Sequence, residues 1–296
     1  MRCYGFIYNP RSGSGHRPAL LRASVERLRA AGHEVREYLC DSDRDGDPSQ
    51  AAEAAVRDAC GVLVACGGDG TVNAVARVAK THHLVLGVLP FGTLNHFAKD
   101  LGIHGTAHAE QVLLAGHIRE IDAGLVNGRL FLNNAGIGIY PMMVLERERV
   151  QKAGIPKWPA FVAACVKIVL KMPFRRLCIK ADGVRLARTT PFLFVGNNVY
   201  SIEGKSLGRR ACLDAGVLGV CTARHVGPAG LFRFALRALM GTLRQDRDFT
   251  ALTTTKLTVE RKRRRALHVS RDGEVCRMRL PLEFSTVPRA IQVLAP

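Results

Sequence analysis

GVLVAC (61–66) runs straight into GGDGT (67–71) and then into VNAVARVAK (72–80). The first run is continuously apolar, the pattern of a strand that a parallel sheet buries on both faces. The last run places its apolar residues at helical spacing and predicts a helix from Thr71 to Lys80. Between them, three glycines in four residues let the main chain come close to a phosphate, and the helix that follows points free N–H groups at the anion. Thr71 is expected as the helix N-cap, and Asp69 as a carboxylate able to orient Mg²⁺ on a nucleotide. A tight strand-to-helix turn that binds nothing has the same outline; the acid at its centre argues against that reading.

Outward from this unit the rhythm repeats. CYGFIYN (3–9) predicts a strand ending in NPRSGSG (9–15), a helix is expected over 18–31, a strand over 35–39 and an Ala-rich helix over 49–59. LVLGVLP (84–90) predicts another strand, opening into LPFGTLNHFAKDLG (89–102) and a helix near 94–115. Neither glycine-rich loop is a Walker A motif, and neither matches GxGxxG. Three strand ends that open into Gly/Ser/Thr/Asn loops converge at one edge of a parallel sheet, where open α/β sheets bind ligands. After Asp122 the pattern changes to short apolar runs between Gly, Asn and Asp turns: RLFLNNAG, RLCIKAD, PFLFVGNN, GVLGVCTA, TKLTVE, ALHVS and VCRMRLPLEF. These predict an antiparallel β domain interrupted by helices near 158–172 and 228–244.

A length of 296 residues fits about two domains. With 47% hydrophobic and 23% charged residues, the chain is neither disordered nor fibrous. The apolar stretch Ala160 to Val166 is interrupted by Lys167 and Lys171, well short of a membrane span. The N-terminus lacks a secretory pattern, so a soluble, intracellular protein is expected. Nine cysteines without CxxC or zinc spacing are expected as reduced thiols in apolar surroundings. The net charge of +18 is uneven: residues 1–122 carry 13 basic and 14 acidic side chains, residues 123–296 carry 30 and 11. Nucleic acid, an anionic membrane surface and phosphorylated small molecules all suit a basic half. Aromatic residues are only 6%, with no evident stacking platform, which disfavours nucleic acid.

NPRSGSG, GGDGTVNAVA and LPFGTLNHFAKDLG, in this order and at these separations, resemble the diacylglycerol kinase catalytic-domain family in its bacterial soluble lipid-kinase branch. GLVNGRLFLNNAGIG (124–138), FVGNNVY (194–200), RRACLDAGVL (209–218) and RDGEV (271–275) are similar to later family segments, so the likeness spans essentially the whole chain. It implies a phosphofructokinase-like α/β domain over 1–122, with 286–296 returning to it, and an antiparallel β-sandwich lipid-substrate domain over 123–285. Mg-ATP is expected in the cleft between the two. By the resemblance, Asn9, Pro10, Ser12 and Gly13 contact ATP phosphates. Gly67, Gly68, Asp69, Gly70 and Thr71 wrap the triphosphate and metal beside Asn73, and Gly92, Thr93 and Asn95 complete the nucleotide wall. Asp272 is the implied general base for a lipid hydroxyl, Glu274 a supporting acid, and Asp69 a third acid of the catalytic set. Read without the resemblance, Asp272-Gly273 is a hairpin turn; the two roles are compatible.

Two departures stand out. His96 occupies a position where the family usually has Asp, placing a titratable donor near the phosphates. Leu213-Asp214-Ala215-Gly216 keeps one of the two acids that bind a structural Mg²⁺ in many relatives, which leaves Asp214 a weak metal candidate. Around 228–244, Leu231, Phe232, Leu236, Leu239 and Leu243 lie beside Arg233, Arg237 and Arg244, and Arg261 to Arg265 form a basic run between two strands. For the helix, packing on the sandwich with solvated arginines is favoured over membrane insertion; the basic run reads as a solvated loop or as attraction to anionic lipid, which suits a kinase whose substrate sits in a bilayer. The expectation is an ATP- and Mg²⁺-dependent lipid kinase, cytoplasmic and transiently at the inner membrane face, acting on a diacylglycerol-like lipid. A homodimer is compatible with the sequence. The alternatives are an NAD kinase-like enzyme and a non-catalytic nucleotide or lipid binder on the same fold.

Overall fold

A computed structural model describes residues 1–10, 17–40, 47–139, 141–142, 175–201, 208–223, 230, 237, 249–262 and 265–296. Ser12, Gly13 and the helices expected near 158–172 and 228–244 lie outside the described residues, apart from Gly230 and Arg237. Met1–Ala123 with Pro288–Pro296 form one compact unit, and Gly124–Val287 form a second.

In the first unit strands and helices alternate: β1 (Cys3–Tyr8), α1 (Arg17–Ala30), β2 (Glu34–Leu39), α2 (Pro48–Arg57), β3 (Val62–Gly67), α3 (Asp69–Thr81) and β4 (Val85–Pro90). Then come α4 (His96–Asp100), α5 (Thr106–Ala115) and β5 (Ile118–Val126), which leads into the second unit. The sheet runs β2-β1-β3-β4, all parallel. All six residues of β3 are buried, as a central strand covered on both faces requires. The edge strand β2 keeps Arg36 and Glu37 exposed. The helix expected near 94–115 is two helices. Gly102 and Gly105 both adopt positive φ, 84° and 90°, which no α-helix accommodates.

The second unit holds β6 (Arg129–Phe131), β7 (Asn134–Gly138), β8 (Arg175–Ala181), β9 (Val184–Thr190), β10 (Phe192–Asn197) and β11 (Leu218–Ala223). It continues with β12 (Phe249–Thr254), β13 (Lys256–Glu260), β14 (Ala266–Arg271), β15 (Glu274–Arg279) and most of the way to the C-terminus with β16 (Leu282–Leu294). Six antiparallel strands form one sheet in the order β12-β11-β10-β7-β14-β15. The start of β16 pairs antiparallel with β13, which pairs with β8, and β8 with β9. Ile137, Val195, Val220, Val269 and Met278 of the first sheet share one buried core with Leu177, Ile179, Val259, Leu282 and Phe284 of the other, which makes the unit a β-sandwich. Three tight hairpins turn at Asn127-Gly128, Asp182-Gly183 and Asp272-Gly273, every one of the six residues with positive φ, as type I′ turns demand.

VCRMRLPLEF is not one strand. β15 stops at Arg279 and β16 starts at Leu282, because Pro281 has no N–H to continue a ladder. Within β15 the expected alternation holds: Met278 is buried while Arg277 and Arg279 are exposed. The far end of β16 pairs parallel with β4, Val293 beside Leu86, so the C-terminal segment belongs to the first unit. The eight described cysteines are all free thiols. Burial pushes the Cys66 thiol well above its ordinary value.

Candidate active site

In the first unit β1, β3 and β4 are neighbours, with Tyr8 beside Cys66 and Gly67 beside Pro90. Their C-terminal ends therefore lie on one edge, which brings together Asn9, the Gly67–Thr71 turn and the Gly92–Asn95 loop. Two of these loops are fastened through their backbones: the amides of Phe91 and Gly92 donate to the Gly67 carbonyl at 2.9 and 3.2 Å. A Cβ on Gly92 would lie 2.5 Å from the Gly68 Cα, and one on Gly67 would lie 2.4 Å from the Thr71 hydroxyl. Only glycine permits either approach. The Asn9 amide donates to the Cys66 carbonyl at 3.2 Å, and its side chain reaches the Thr71 hydroxyl at 3.5 Å. Pro10 and Thr93 are exposed beside them.

Thr71 is not the N-cap. Helix α3 starts two residues earlier than expected, with Gly68 as N-cap and no side chain capping the first turn. Thr71 is the third helical residue, buried, its hydroxyl turned to Asn9 instead of to the helix amides. The helix opens with Asp69, whose charge suits the positive end of the macrodipole. That carboxylate is anchored on the neighbouring loop: Oδ2 accepts from the His96 amide at 3.2 Å and Oδ1 from the Phe97 amide at 3.1 Å. Asp69 thus caps α4, whose own N-cap, Asn95, sits at φ 49° and donates its side-chain amide to the Gly92 carbonyl at 2.8 Å. The His96 side chain is exposed.

Two buried polar groups here lack partners among the described residues: both amide atoms of Asn73, on α3, and Oδ1 of Asn95. Buried amides are almost always satisfied by protein, water or ligand, so these mark a place where a bound molecule is expected. Asp69 uses one lone pair of each oxygen on α4, which leaves oxygen ligands for a hard cation. Among the described residues no group of three or more His, Cys, Asp or Glu side chains that could hold a metal forms. A Mg²⁺ ion held by one carboxylate, phosphate oxygens and water suits that donor set.

In the second unit the Asp272 hairpin turn is also a built site. Asp272 Oδ2 accepts from the Leu132 amide at 2.8 Å, and Oδ1 from the amides of Asn133 and Asn134 at 2.7 and 3.0 Å. Three successive N–H groups converging on one carboxylate form an anion nest. The Asp272 amide returns a bond to the Asn134 carbonyl at 2.8 Å. Burial pushes its carboxyl up to about 6, against the lowering effects of the three amides and the Arg210 charge. Glu274, exposed, pairs with Arg271 at 3.4 Å.

Asp214 is exposed, and in the same Leu213–Gly216 segment the Ala215 amide donates to Asn198 Oδ1 at 3.0 Å. A buried amide side chain thus pins this turn beside Ala215. A cavity of about 170 Å³ opens in the same unit, lined by Phe194, Val199, Tyr200, Cys221, Ala251 and Leu252 among others. Sequence reasoning missed Asn133, Asn197 and Arg210, all buried around the 132–134 segment. Each lies in a segment that resembles the family, 124–138, 194–200 and 209–218, but nothing local to those segments assigns it a role.

Two family models divide the chain: the diacylglycerol kinase catalytic domain matches residues 4–126, and the YegS C-terminal NAD kinase beta sandwich-like domain matches residues 145–295. A diacylglycerol kinase of Bacillus subtilis (strain 168) is 29% identical over 98% of this chain and 95% of its own length. One from Staphylococcus aureus (strain bovine RF122 / ET3-1) is 28% identical over 98% of this chain and 91% of its own. The crystal structure of a diacylglycerol kinase from Bacillus anthracis (strain Sterne) superposes with a TM-score of 0.72 at 18% identity, covering 100% of this chain and 97% of that one, a likeness of fold. The chain belongs to the diacylglycerol kinase catalytic-domain family and is a lipid kinase of that family, an α/β catalytic domain followed by a β-sandwich domain.

Proposed function

We propose that the protein transfers the γ-phosphate of Mg-ATP to a hydroxyl group of a diacylglycerol-like lipid. The observation that carries this reading is the uncapped start of α3, wedged between glycines and backed by the unsatisfied amide of Asn73. Free helix-terminal amides and a positive dipole end suit a triphosphate. Asn9, Gly67 to Thr71, Gly92, Thr93 and Asn95 line that position, and Asp69 would hold Mg²⁺, which supplies neutralisation of developing charge on the phosphates. Because Asp69 is fixed by α4, the Gly92–Asn95 loop and the metal ligand are ordered as one piece.

Asp272 serves as the general base. A carboxyl with its pKa near 6 is ionised at neutral pH yet more basic than a surface carboxylate, which favours proton abstraction from an alcohol. The amide nest fixes its orientation. The apolar cavity beside Tyr200 suits part of an acyl chain. Arg261, Lys262, Arg265, Arg277 and Arg279, none of them in an ion pair among the described residues, suit docking to anionic lipid on the cytoplasmic face of a membrane. No helix among the described residues is long and apolar enough to cross one.

The test is phosphorylation in vitro. Purified protein, labelled ATP, Mg²⁺ and diacylglycerol in vesicles containing anionic phospholipid are expected to give labelled lipid, with Asp272→Asn reducing the rate by roughly 10²-fold or more. Labelled NADP from NAD, with no labelled lipid, would establish the NAD kinase reading instead. ATP binding without any turnover would establish the non-catalytic one.

A further inference from the structure

Arg210 lies in RRACLDAGVL (209–218) and is buried in the second unit, with no role assigned to it so far. Its Nη1 donates to the Leu132 carbonyl at 2.7 Å and to the Asn197 carbonyl at 3.2 Å, and its Nη2 donates to Asn133 Oδ1 at 2.8 Å. The guanidinium carbon lies 5.4 Å from the centre of the Tyr200 ring, which also lines the apolar cavity. Asn197 supports the same place: its side-chain amide donates to the Leu132 carbonyl at 3.0 Å, and its backbone amide to the Asn133 carbonyl at 2.9 Å.

Two opposite charges therefore grip opposite sides of one short stretch of backbone. Asp272 takes the amides of residues 132–134, and Arg210 takes the carbonyl of Leu132 and the side chain of Asn133. Each polarises the intervening peptides in the sense that strengthens the other's bonds. We infer that Arg210 is a positioning residue for Asp272, acting through the Leu132–Asn134 segment that both residues hold. The inference rests on the proposed role of Asp272 as the base, and it adds the group that fixes that base in place.

The electrostatics agree. Arg210 is the charged group that lowers the Asp272 carboxyl against its burial, while the hairpin neighbours Arg271 and Glu274 are paired with each other. The Tyr200 ring joins this charge to the cavity wall, with a second edge-on contact to Phe194 at 5.2 Å. Lysine cannot replace the planar fork that reaches two carbonyls and an amide oxygen together.

Arg210→Met and Arg210→Lys separate charge from fork. The readouts are the ¹³C carboxyl titration of Asp272, assigned with Asp272→Asn, and hydrogen exchange at the amides of Leu132, Asn133 and Asn134. In Arg210→Met the titration midpoint is expected to rise and the three amides to exchange roughly tenfold faster or more. In Arg210→Lys the midpoint is expected to stay near that of the parent while exchange still accelerates. In lipid phosphorylation kcat is expected to fall in both, less in the lysine variant, with KM for ATP unchanged. Unaltered titration and unaltered exchange in both variants would overturn the inference. Should the methionine variant fail to fold, unchanged exchange in Arg210→Lys overturns it alone. An inactive parent protein would remove the role of Asp272 as base but leave titration and exchange readable, so the two failures are distinct.

Discussion

Gly70→Ala should make the protein more stable and a poorer ATP binder at once. Gly70 is the second residue of α3, exposed, and a Cβ added there meets nothing within 4 Å. Its φ is not positive, so alanine fits without strain. Glycine in a helix costs about 0.5–1 kcal/mol relative to alanine. For a domain of this size the melting temperature without nucleotide should rise by about 1–4 °C. Binding should move the other way, because the open space at Gly70 is where the main chain meets the triphosphate in the proposed complex. A methyl group that holds one phosphate oxygen off its amide forfeits a charge-assisted hydrogen bond of about 1.5–3 kcal/mol. That corresponds to roughly 10- to 100-fold weaker binding of Mg-ATP. Differential scanning fluorimetry without ligand and isothermal titration with Mg-ATP read the two effects separately. An affinity within twofold of the parent would refute the placement of the phosphates, and a lower melting temperature would refute the reading of Gly70 as an unstrained helical residue.

Gly92→Ala should behave oppositely in stability: its methyl group meets the Gly68 Cα at 2.5 Å, backbone that cannot swing aside, and a loss of about 1–3 kcal/mol is expected in denaturant unfolding. Asp69→Asn offers a donor to one of the two α4 amides, so unfolding should show a loss of about 1–2 kcal/mol, and Mg²⁺ should no longer strengthen ATP binding. Because the folded Asp272 carboxyl titrates at about 6, above its unfolded value, the native state binds the extra proton and stability should fall as pH rises from about 4 to about 6; Asp272→Asn should abolish that slope in urea titrations at each pH. Lipid phosphorylation should rise with a midpoint near pH 6, between about 5 and about 7, as the base ionises. Arg277→Gln with Arg279→Gln should weaken binding to anionic vesicles by roughly thirtyfold at low salt, at about 1 kcal/mol per charge, and leave binding to neutral vesicles unchanged.

The parallel half of the fold was legible because its signals are local. β3 is apolar throughout and buried throughout, and the loops after Tyr8, Gly67 and Pro90 follow strands that happen to be neighbours. The three hairpins were equally written, as Asn-Gly or Asp-Gly pairs. β9 and β12 went unread because they are edge strands: VRLARTT and FTALTT contain few apolar residues, and an edge needs few. The misplaced cap at Thr71 has a different cause. Threonine is a good cap in isolation, yet here its side chain is held between Gly67 and Asn9, a contact 62 residues long in sequence. The role of Arg210 within RRACLDAGVL was illegible for the same reason, since its partner Leu132 lies 78 residues away.

Asp69, which opens α3, and Asp272, in the turn between β14 and β15, share a construction that suits the roles proposed for them. Each carboxylate accepts backbone amides from a different loop, two for Asp69 and three for Asp272. A carboxylate free to rotate in a flexible turn pays for orientation each time it reacts; one clamped by amides has lost that freedom during folding. Amide bonds alone would make it a weak base by favouring its charge, and at Asp272 burial offsets them and leaves the carboxyl near 6. At Asp69, half-buried and carrying fewer amides, the oxygens remain available to a cation. The same side-chain type thus suits a base in one unit and a metal ligand in the other, and at Asp272 desolvation is what keeps the clamped carboxylate basic.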